Sequence, residues 1–489
     1  MAPRERYATL AYAVRGRVLA KYLAQLGLAV AVLTAPLAAA TALLGDGALA
    51  WRLALVALAF AALSGPGARL REPAQLQTNE ALAVLASAFV LTPLAMAWPM
   101  HAAGLPWIDA VFESVSGVTT TGLSTVPDAA AMPRGFWLAR AWMQWYGGLG
   151  VAVLSVVLVA GHHAAARRLV DVEAPEGLVT TTRLHARRVL LVYLVLTLIG
   201  VALLLGLGHA PLVSVAHVLS AVSTGGFSTH RASLAGFTGA APAVVLTGLG
   251  LAGAVSLPLY HRAYLQGWRA LHADPELRAL VLAALALSAL LAGSMLARGL
   301  PGDLGTVGHA LALGVSAQTT TGFSTLSPGE LAPAEKALML LAMSVGGSVG
   351  STAGGVKLLR VLILLRVVQL AVRRTGMPPH AVAEPRIAAR LIEPEDVNRA
   401  LVLLLLFVAV VFVSWLAFLA AGYHALDALF EVVSATGTVG LSTGITGTGL
   451  PAPLKGVLCL DMLFGRLEVV ALLVVLYPRT WLGRRAETP

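Results

Sequence analysis

The chain has 489 residues, of which 58% are hydrophobic and only 12% charged, with a mean hydropathy of +0.81. That balance excludes an ordinary soluble domain and a disordered chain. The formal charge of +10 does not indicate a nucleic-acid partner, because the basic residues gather in alternate loops between apolar runs.

Apolar runs near twenty residues recur, for example at 191–207, 280–296 and 400–420. Each is long enough to cross a hydrocarbon layer of roughly 30 Å as a helix. The runs are continuous rather than alternating, which excludes a transmembrane β-barrel. An all-α polytopic membrane protein is predicted. The basic clusters are Arg4, Arg6, Arg15, Arg17 and Lys21; Arg69 and Arg71; Arg167, Arg168, Arg183, Arg187 and Arg188; Arg262 and Arg269; Arg373, Arg374, Arg386 and Arg390; and Arg479, Arg484 and Arg485. Positive charge favours the inner face, so these loops and both termini are expected in the cytoplasm. The single Cys459 excludes an internal disulfide.

Two helices come first, at 20–44 and 51–63, joined by an outer turn at Gly45-Asp46-Gly47. The first is longer than the apolar core of a secretory signal, about 7–15 residues, and is expected to be retained. One pattern then occurs four times: SGVTTTGLST at 116–125, SAVSTGGFST at 220–229, SAQTTTGFST at 316–325 and SATGTVGLST at 434–443. The shared glycines Gly122, Gly226, Gly322 and Gly440 are separated by 104, 96 and 118 residues. Four copies of one unit are predicted, larger than soluble solenoid repeats. Their bounds are 76–170, 171–265, 266–375 and 376–489, after a two-helix segment 1–75.

Each unit begins with an apolar helix running outward, at 81–98, 189–207, 277–296 and 401–421. A short helix follows, at 106–118, 211–222, 305–317 and 424–435, then the motif, then a second long apolar helix back to the cytoplasm. Some thirteen residues of helix cover about 20 Å, too little to span. The short segments therefore read as re-entrant helices. Non-helical backbone at membrane depth is tolerated only when buried in protein or lining a cavity. The stretch 373–397 is the one long polar, proline-bearing cytoplasmic linker, and no separate soluble domain fits in it.

Counting back from each motif glycine gives two rows on the short helices. Asp109, Val213, His309 and Asp427 lie thirteen before it; Glu113, His217, Leu313 and Glu431 lie nine before it. A spacing of four places both rows on one helix face. The carboxylate pairs Asp109/Glu113 and Asp427/Glu431 admit two readings. They brace the short helices, or they set an outer potential that favours cations.

Loops of Ser, Thr and Gly at the C-termini of re-entrant helices suit cation coordination. The helix end carries partial negative charge, and backbone carbonyls can replace an ion's hydration shell. Glycine permits the torsions such a loop needs. The hydroxyls of Thr120, Thr224, Thr320 and Thr438, two before each glycine, are expected to hold the loops. Helix-packing glycines with hydroxyl glue are the competing reading, and fourfold recurrence after a short helix weighs against it.

On these residues the chain resembles the Trk/Ktr/HKT superfamily of cation transporters, and most of all its bacterial TrkH branch. The resemblance covers roughly residues 76–480, and the two leading helices match that branch. It implies outer-helix, pore-helix and inner-helix repeats with pseudo-fourfold symmetry around one pore. It also implies a potassium ion as the bound species, held by backbone carbonyls of Thr120, Thr121 and Gly122; Thr224, Gly225 and Gly226; Thr320, Thr321 and Gly322; and Thr438, Val439 and Gly440. Four filter glycines accompany potassium preference in the family, whereas serine at the first accompanies sodium selectivity in part of the plant branch.

Two further features sit below the motif. The third returning helix, 334–373, is interrupted at 346–357, where Gly346, Gly347, Gly350, Gly354 and Gly355 precede Lys357. Five glycines should break a helix, at about 1 kcal/mol each relative to Ala. A phosphate-binding loop is excluded, since no strand precedes the run and no Ser or Thr follows Lys357. The resemblance implies an intramembrane gating loop here, matched from Gly350 to Lys357. The second feature is Arg466, in the predicted span 454–476 and 26 residues after Gly440. The same offset lands on Gly148, Ala252 and Ser348. A guanidinium in a span costs at least ~2.5 kcal/mol. Glu468 and Asp461 are candidate partners for a structural ion pair, and the resemblance implies instead a cavity arginine that restrains permeation with the loop. The run Gln144-Trp145-Tyr146-Gly147-Gly148-Leu149-Gly150 also resembles the family's first inner helix, its glycines read as packing positions for neighbouring inner helices.

Potassium uptake across the bacterial cytoplasmic membrane is the function these features point to. A proton- or sodium-coupled symporter on the same fold is the alternative. A membrane-embedded lipid-modifying enzyme would need clustered metal ligands, and His162-His163 is the only such pair. No catalytic residues and no nucleic-acid partner are expected. The resemblance implies a homodimer working with a cytosolic, TrkA-like nucleotide-binding subunit. The chain carries no Rossmann-type glycine fingerprint of its own.

Overall fold

The computed structural model describes residues 13–71, 76–160, 178–378, 380, 384–388 and 390–482. Arg4, Arg6, Arg167, Arg168, Arg484, Arg485 and the His162-His163 pair lie outside the described residues. Among the described residues the regular structure is helical apart from a hairpin in the linker, where Arg386–Ile387 pairs antiparallel with Arg390–Leu391, and a single bridge between Val345 and Val356.

Six described helices are long and apolar enough to cross a membrane. Two are the leading pair, Gly16–Leu43 and Gly47–Ala68. The others are Thr78–His101, Ala186–Gly206, Pro275–Ala297 and Pro394–Ala420, one opening each repeat. Their starts follow from local chemistry. Proline opens two of them, where its missing amide costs nothing. The Asp274 carboxylate accepts from the Leu277 amide at 3.0 Å. Asp303 caps the third short helix in the same way, and its bond from the Thr306 amide holds its carboxyl below the usual carboxylate range.

The short helices are Trp107–Val118, Pro211–Val222, Leu304–Gln318 and Ala425–Thr436. Each packs against its own outer and returning helices and against the returning helix of the preceding repeat, with the fourth repeat closing onto the first. The circle also closes at the chain ends, where the Val14 amide donates to the Thr480 carbonyl at 2.9 Å. Glycines permit the closest approaches. A Cβ on Gly147 would lie 2.1 Å from the Val118 carbonyl, one on Gly253 2.4 Å from that of Val222, and one on Gly465 1.8 Å from that of Thr436. Gly147 and Gly148 therefore pack on short helices, Gly148 against Ser223, and not on neighbouring inner helices as expected.

Only the first returning helix, Arg134–Ala160, is unbroken. The second turns by 87° between Ala241–Ala254 and Leu257–Gln266. The third stops at Ser344 and resumes at Leu358. The fourth ends at Arg466 and resumes at Val470, with Glu468 and Val469 at φ of 55° and 60°. The expected continuous span 454–476 is thus interrupted at its arginine. Three of the four returning helices are therefore broken.

Candidate cation pathway

Each short helix ends in the same turn. The amide of Thr120 donates to the Gly117 carbonyl at 3.0 Å and that of Thr121 to the Ser116 carbonyl at 2.9 Å. The equivalent pairs in the other repeats run from Thr224 and Gly225, Thr320 and Thr321, and Thr438 and Val439. This is the Schellman closure, whose left-handed residue is usually glycine. Here it is Thr120, Thr224, Thr320 or Thr438, at φ of 57°, 53°, 55° and 49°. A β-branched residue in that region is strained by roughly 1–2 kcal/mol. Two residues on, Gly122, Gly226, Gly322 and Gly440 are again left-handed, at φ of 88°, 74°, 79° and 93°.

The four loops meet in a closed ring. A Cβ on Gly122 would lie 2.0 Å from the Gly225 carbonyl oxygen. One on Gly226 would lie 2.4 Å from that of Thr321, one on Gly322 1.9 Å from that of Val439, and one on Gly440 2.1 Å from that of Thr121. Each motif glycine therefore abuts the carbonyl that precedes the next motif glycine, around all four repeats. Neither the torsion nor the space admits a side chain.

The expected role of the threonine hydroxyls is met in part. The Thr224 hydroxyl donates to the Ser223 carbonyl at 2.7 Å, and Thr320 Oγ1 accepts from the Gly354 amide at 2.8 Å. Those of Thr120 and Thr438 are buried without a protein hydrogen-bond partner. In the first and fourth repeats the motif serine pins the loop instead. Ser116 and Ser434 accept from the amides of Gly122 and Gly440 at 3.0 and 3.1 Å.

The carboxylates brace. Glu113 accepts from the Ser124 hydroxyl and the Thr125 amide at 2.7 and 2.8 Å, and pairs with buried Arg140 at 3.1 Å. Glu431 accepts from the Ser442 hydroxyl at 2.6 Å and the Thr443 amide at 2.7 Å. Asp109 is matched by Lys455 at 2.6 Å, and Asp427 by Lys336 at 2.7 Å, each pair joining two repeats.

Residues 346–357 lie directly beneath the ring. Besides the Gly354–Thr320 bond, a Cβ on Gly354 would fall 1.9 Å from the Thr438 hydroxyl oxygen. The segment closes on itself where the Gly346 amide donates to the Val356 carbonyl at 3.0 Å, with Gly350 and Gly355 left-handed. It docks on the break in the second returning helix. The amides of Ser348 and Thr352 donate to the carbonyls of Ala254 and Gly253 at 3.0 and 3.1 Å, and the Leu257 amide to that of Gly350 at 3.1 Å. Gly347 fits closely there, since a Cβ on it would lie 2.6 Å from the Ala254 carbonyl. The Lys357 ammonium donates to the Ala353 carbonyl. Arg466, 4% exposed, donates from Nη1 to the Thr352 carbonyl at 2.8 Å. Its expected partners are engaged elsewhere: Glu468 pairs with Arg360 at 2.6 Å, and Asp461 accepts from the Ser414 hydroxyl at 2.6 Å.

Among the contacts that escaped the sequence reading, those of Gln144 and Glu276 bear directly on the loops. Gln144 donates from Nε2 to the Gly225 carbonyl and accepts from the Phe227 amide at 3.3 Å, clasping the second loop. The Glu276 carboxylate accepts from the Val349 amide at 2.8 Å and tethers the lower segment to the third outer helix. The only prior signal for Gln144 was its place in a glycine-rich run, and Glu276 reads in sequence as an ordinary first-turn acid. Among the described residues no cluster of three or more His, Cys, Asp or Glu could hold a metal ion.

A helical membrane protein with a fourfold ring of Thr-Gly loops and the buried Arg466 side chain below it has the build of a cation transporter. Residues 52–282 and 301–480 match the TrkH family of cation transport proteins, and the chain belongs to that family. It is therefore a transporter and not an enzyme. It is similar to the potassium transporter TrkH of Vibrio parahaemolyticus, whose crystal structure superposes with a TM-score of 0.84 at 25% identity, covering 96% of this chain and 100% of that one. The Trk system potassium uptake protein TrkH of Escherichia coli K12 is 30% identical over 390 residues, 76% of this chain and 79% of that protein. An uncharacterized cation transporter of Methanocaldococcus jannaschii is 26% identical over 410 residues, 83% and 84% of the two chains.

Proposed function

We propose that this chain is the pore subunit of a potassium uptake system. The observation that carries the reading is the cyclic contact of each motif glycine with the carbonyl before the next. Carbonyls from Thr120 to Gly122, Thr224 to Gly226, Thr320 to Gly322 and Thr438 to Gly440 would line the ion's path as a selectivity filter. The relatives named for potassium support potassium as the substrate. The segment 346–357 and Arg466 form the gate in this reading: the first occupies the exit from the filter, and the second holds it there while placing a positive charge on the path.

Coupled symport would call for an ionisable group free to titrate on the pathway. Asp109 and Asp427 are paired with lysines, Glu113 is paired with Arg140 and accepts two loop donors on one oxygen, and Glu431 accepts loop donors on both oxygens. Passive, gated conduction is therefore the reading we adopt. The positive loops favour a bacterial cytoplasmic membrane with both termini inside. Adjacency of Val14 and Thr480 supports termini on one side. A homodimer and a cytosolic nucleotide-binding regulator complete the proposal. Purified protein in liposomes tests its centre: rubidium uptake should exceed sodium uptake without a pH gradient, and Gly122→Ser should erase the preference. Unchanged preference in a folded Gly122→Ser protein would refute the filter.

A further inference from the structure

We propose that His217 is a positioning residue for the second filter loop, serving as a neutral hydrogen-bond acceptor where the first and fourth repeats use a carboxylate. The inference rests on the filter reading above. Glu113 and Glu431 each collect the motif's trailing Ser hydroxyl and Thr amide on one oxygen. His217 stands at the same register in the second repeat. Its Nε2 lies 3.0 Å from the Ser228 hydroxyl oxygen and 3.4 Å from the Thr229 amide nitrogen, the same pair of donors.

The two contacts of the ring assign its proton. A backbone amide can only donate, so Nε2 receives the Thr229 N–H and carries no hydrogen. Nδ1 lies 2.8 Å from the Val213 carbonyl, which can only accept, so Nδ1 holds the proton. Only the neutral imidazole satisfies both ends. The surroundings agree. His217 is 0% exposed, packed against His230, Phe237 and Phe323 at ring-centroid distances of 5.4, 4.8 and 6.2 Å. The titratable groups facing it are His230, from the loop after the motif, and His209, before the short helix. Glu113 has the cation Arg140 beside it, and Glu431 also accepts from the hydroxyls of Thr443 and Thr446. A neutral acceptor is cheaper to bury in this aromatic pocket than a carboxylate would be.

The third repeat supports the same logic by exception. Leu313 at this register cannot accept, and there Ser233 stands in, its hydroxyl accepting from the Ser324 amide at 3.2 Å while the Leu234 amide donates to the Ser324 carbonyl at 3.0 Å. All four loops are thus held behind the ring, three through the motif's trailing Ser hydroxyl and Thr amide and the third through the backbone of Ser324.

Rubidium and sodium uptake in proteoliposomes tests the assignment with two isolated changes. His217→Asn keeps a polar group where Nδ1 sits and cannot reach Ser228 or Thr229; His217→Gln reaches both with an amide oxygen. The asparagine variant is expected to lower rubidium-over-sodium discrimination roughly tenfold, equivalent to about 1.4 kcal/mol. The glutamine variant should stay within about twofold of the wild type, a difference of about 0.4 kcal/mol. Undiminished discrimination in folded His217→Asn overturns the proposal, as does an equal loss in both variants, which would leave only packing. Should the asparagine variant not fold, Ser228→Ala removes one of the two donors and should cost about threefold, or ~0.65 kcal/mol, with no loss again overturning it. Gly226→Ala in the same assay separates the two levels: if it leaves discrimination intact, the filter reading fails. If it abolishes discrimination while His217→Asn does not, only the role of His217 fails.

Discussion

Gly354→Ala probes the contact between the lower segment and the ring. The new Cβ would sit 1.9 Å from the Thr438 hydroxyl oxygen and 2.4 Å from the Gly437 carbonyl, so one partner must move by at least about 1 Å. The 346–357 segment is the softer partner, because the ring is locked by four helix-terminating turns. Overpacking costs about 1–3 kcal/mol, and the Gly354–Thr320 bond lost on withdrawal contributes about 0.5–1.5 kcal/mol. Together these destabilise the seated segment by about 1.5–4.5 kcal/mol, a shift of one to three orders of magnitude in its equilibrium. Rubidium flux into liposomes should rise at least about tenfold while rubidium-over-sodium preference is kept. Unchanged flux in a monodisperse protein would refute the reasoning. So would higher flux with lost preference, since that would mean the ring had yielded and the segment had not.

Three further outcomes follow from the same geometry. Arg466→Ala removes a charge-assisted bond to Thr352 worth about 1.5–3 kcal/mol, so flux should increase, and a folded variant with wild-type flux would exclude a restraining role. Gly122→Ala combines a left-handed φ of 88°, costing about 1–2 kcal/mol, with a Cβ 2.0 Å from the Gly225 carbonyl. Rubidium-over-sodium preference should collapse in uptake assays. Asp109→Asn strands Lys455 in a pair whose side chains are only 6% and 4% exposed, and should destabilise by about 3–5 kcal/mol in thermal or denaturant unfolding. Ion preference and indifference to a pH gradient should survive, and their loss would return Asp109 to the pathway.

The short re-entrant helices were legible because length decides whether a helix spans, and their ends were marked by the motif itself. The ring followed from four copies of one register. The breaks were legible in part: the glycines of 346–357 were expected to interrupt their helix, whereas the 87° turn after Ala254, though it follows Gly248, Gly250 and Gly253 and precedes Pro258, and the break after Arg466 were not expected. At the turn after Ala254 the freed backbone groups find partners in the third repeat, such as the Gly350 carbonyl for the Leu257 amide, whereas at the break after Arg466 the partners are local, the Val469 amide donating to the Phe464 carbonyl at 2.8 Å. Helix propensity in the local sequence cannot report such partners.

The sequence by itself determined the membrane class, the four repeats and the glycines of the ring, since apolar length, register and torsional need are written residue by residue. Tertiary structure alone decided the pairings. Asp109 with Lys455, 346 residues apart, became a brace and not a vestibule charge. Arg466 turned from the nearby acids to a carbonyl 114 residues away. His217 took the place of a glutamate. Each depends on which buried donor meets which acceptor in a medium that leaves few polar groups unmatched, and closure of the four repeats into one ring is what brings them together.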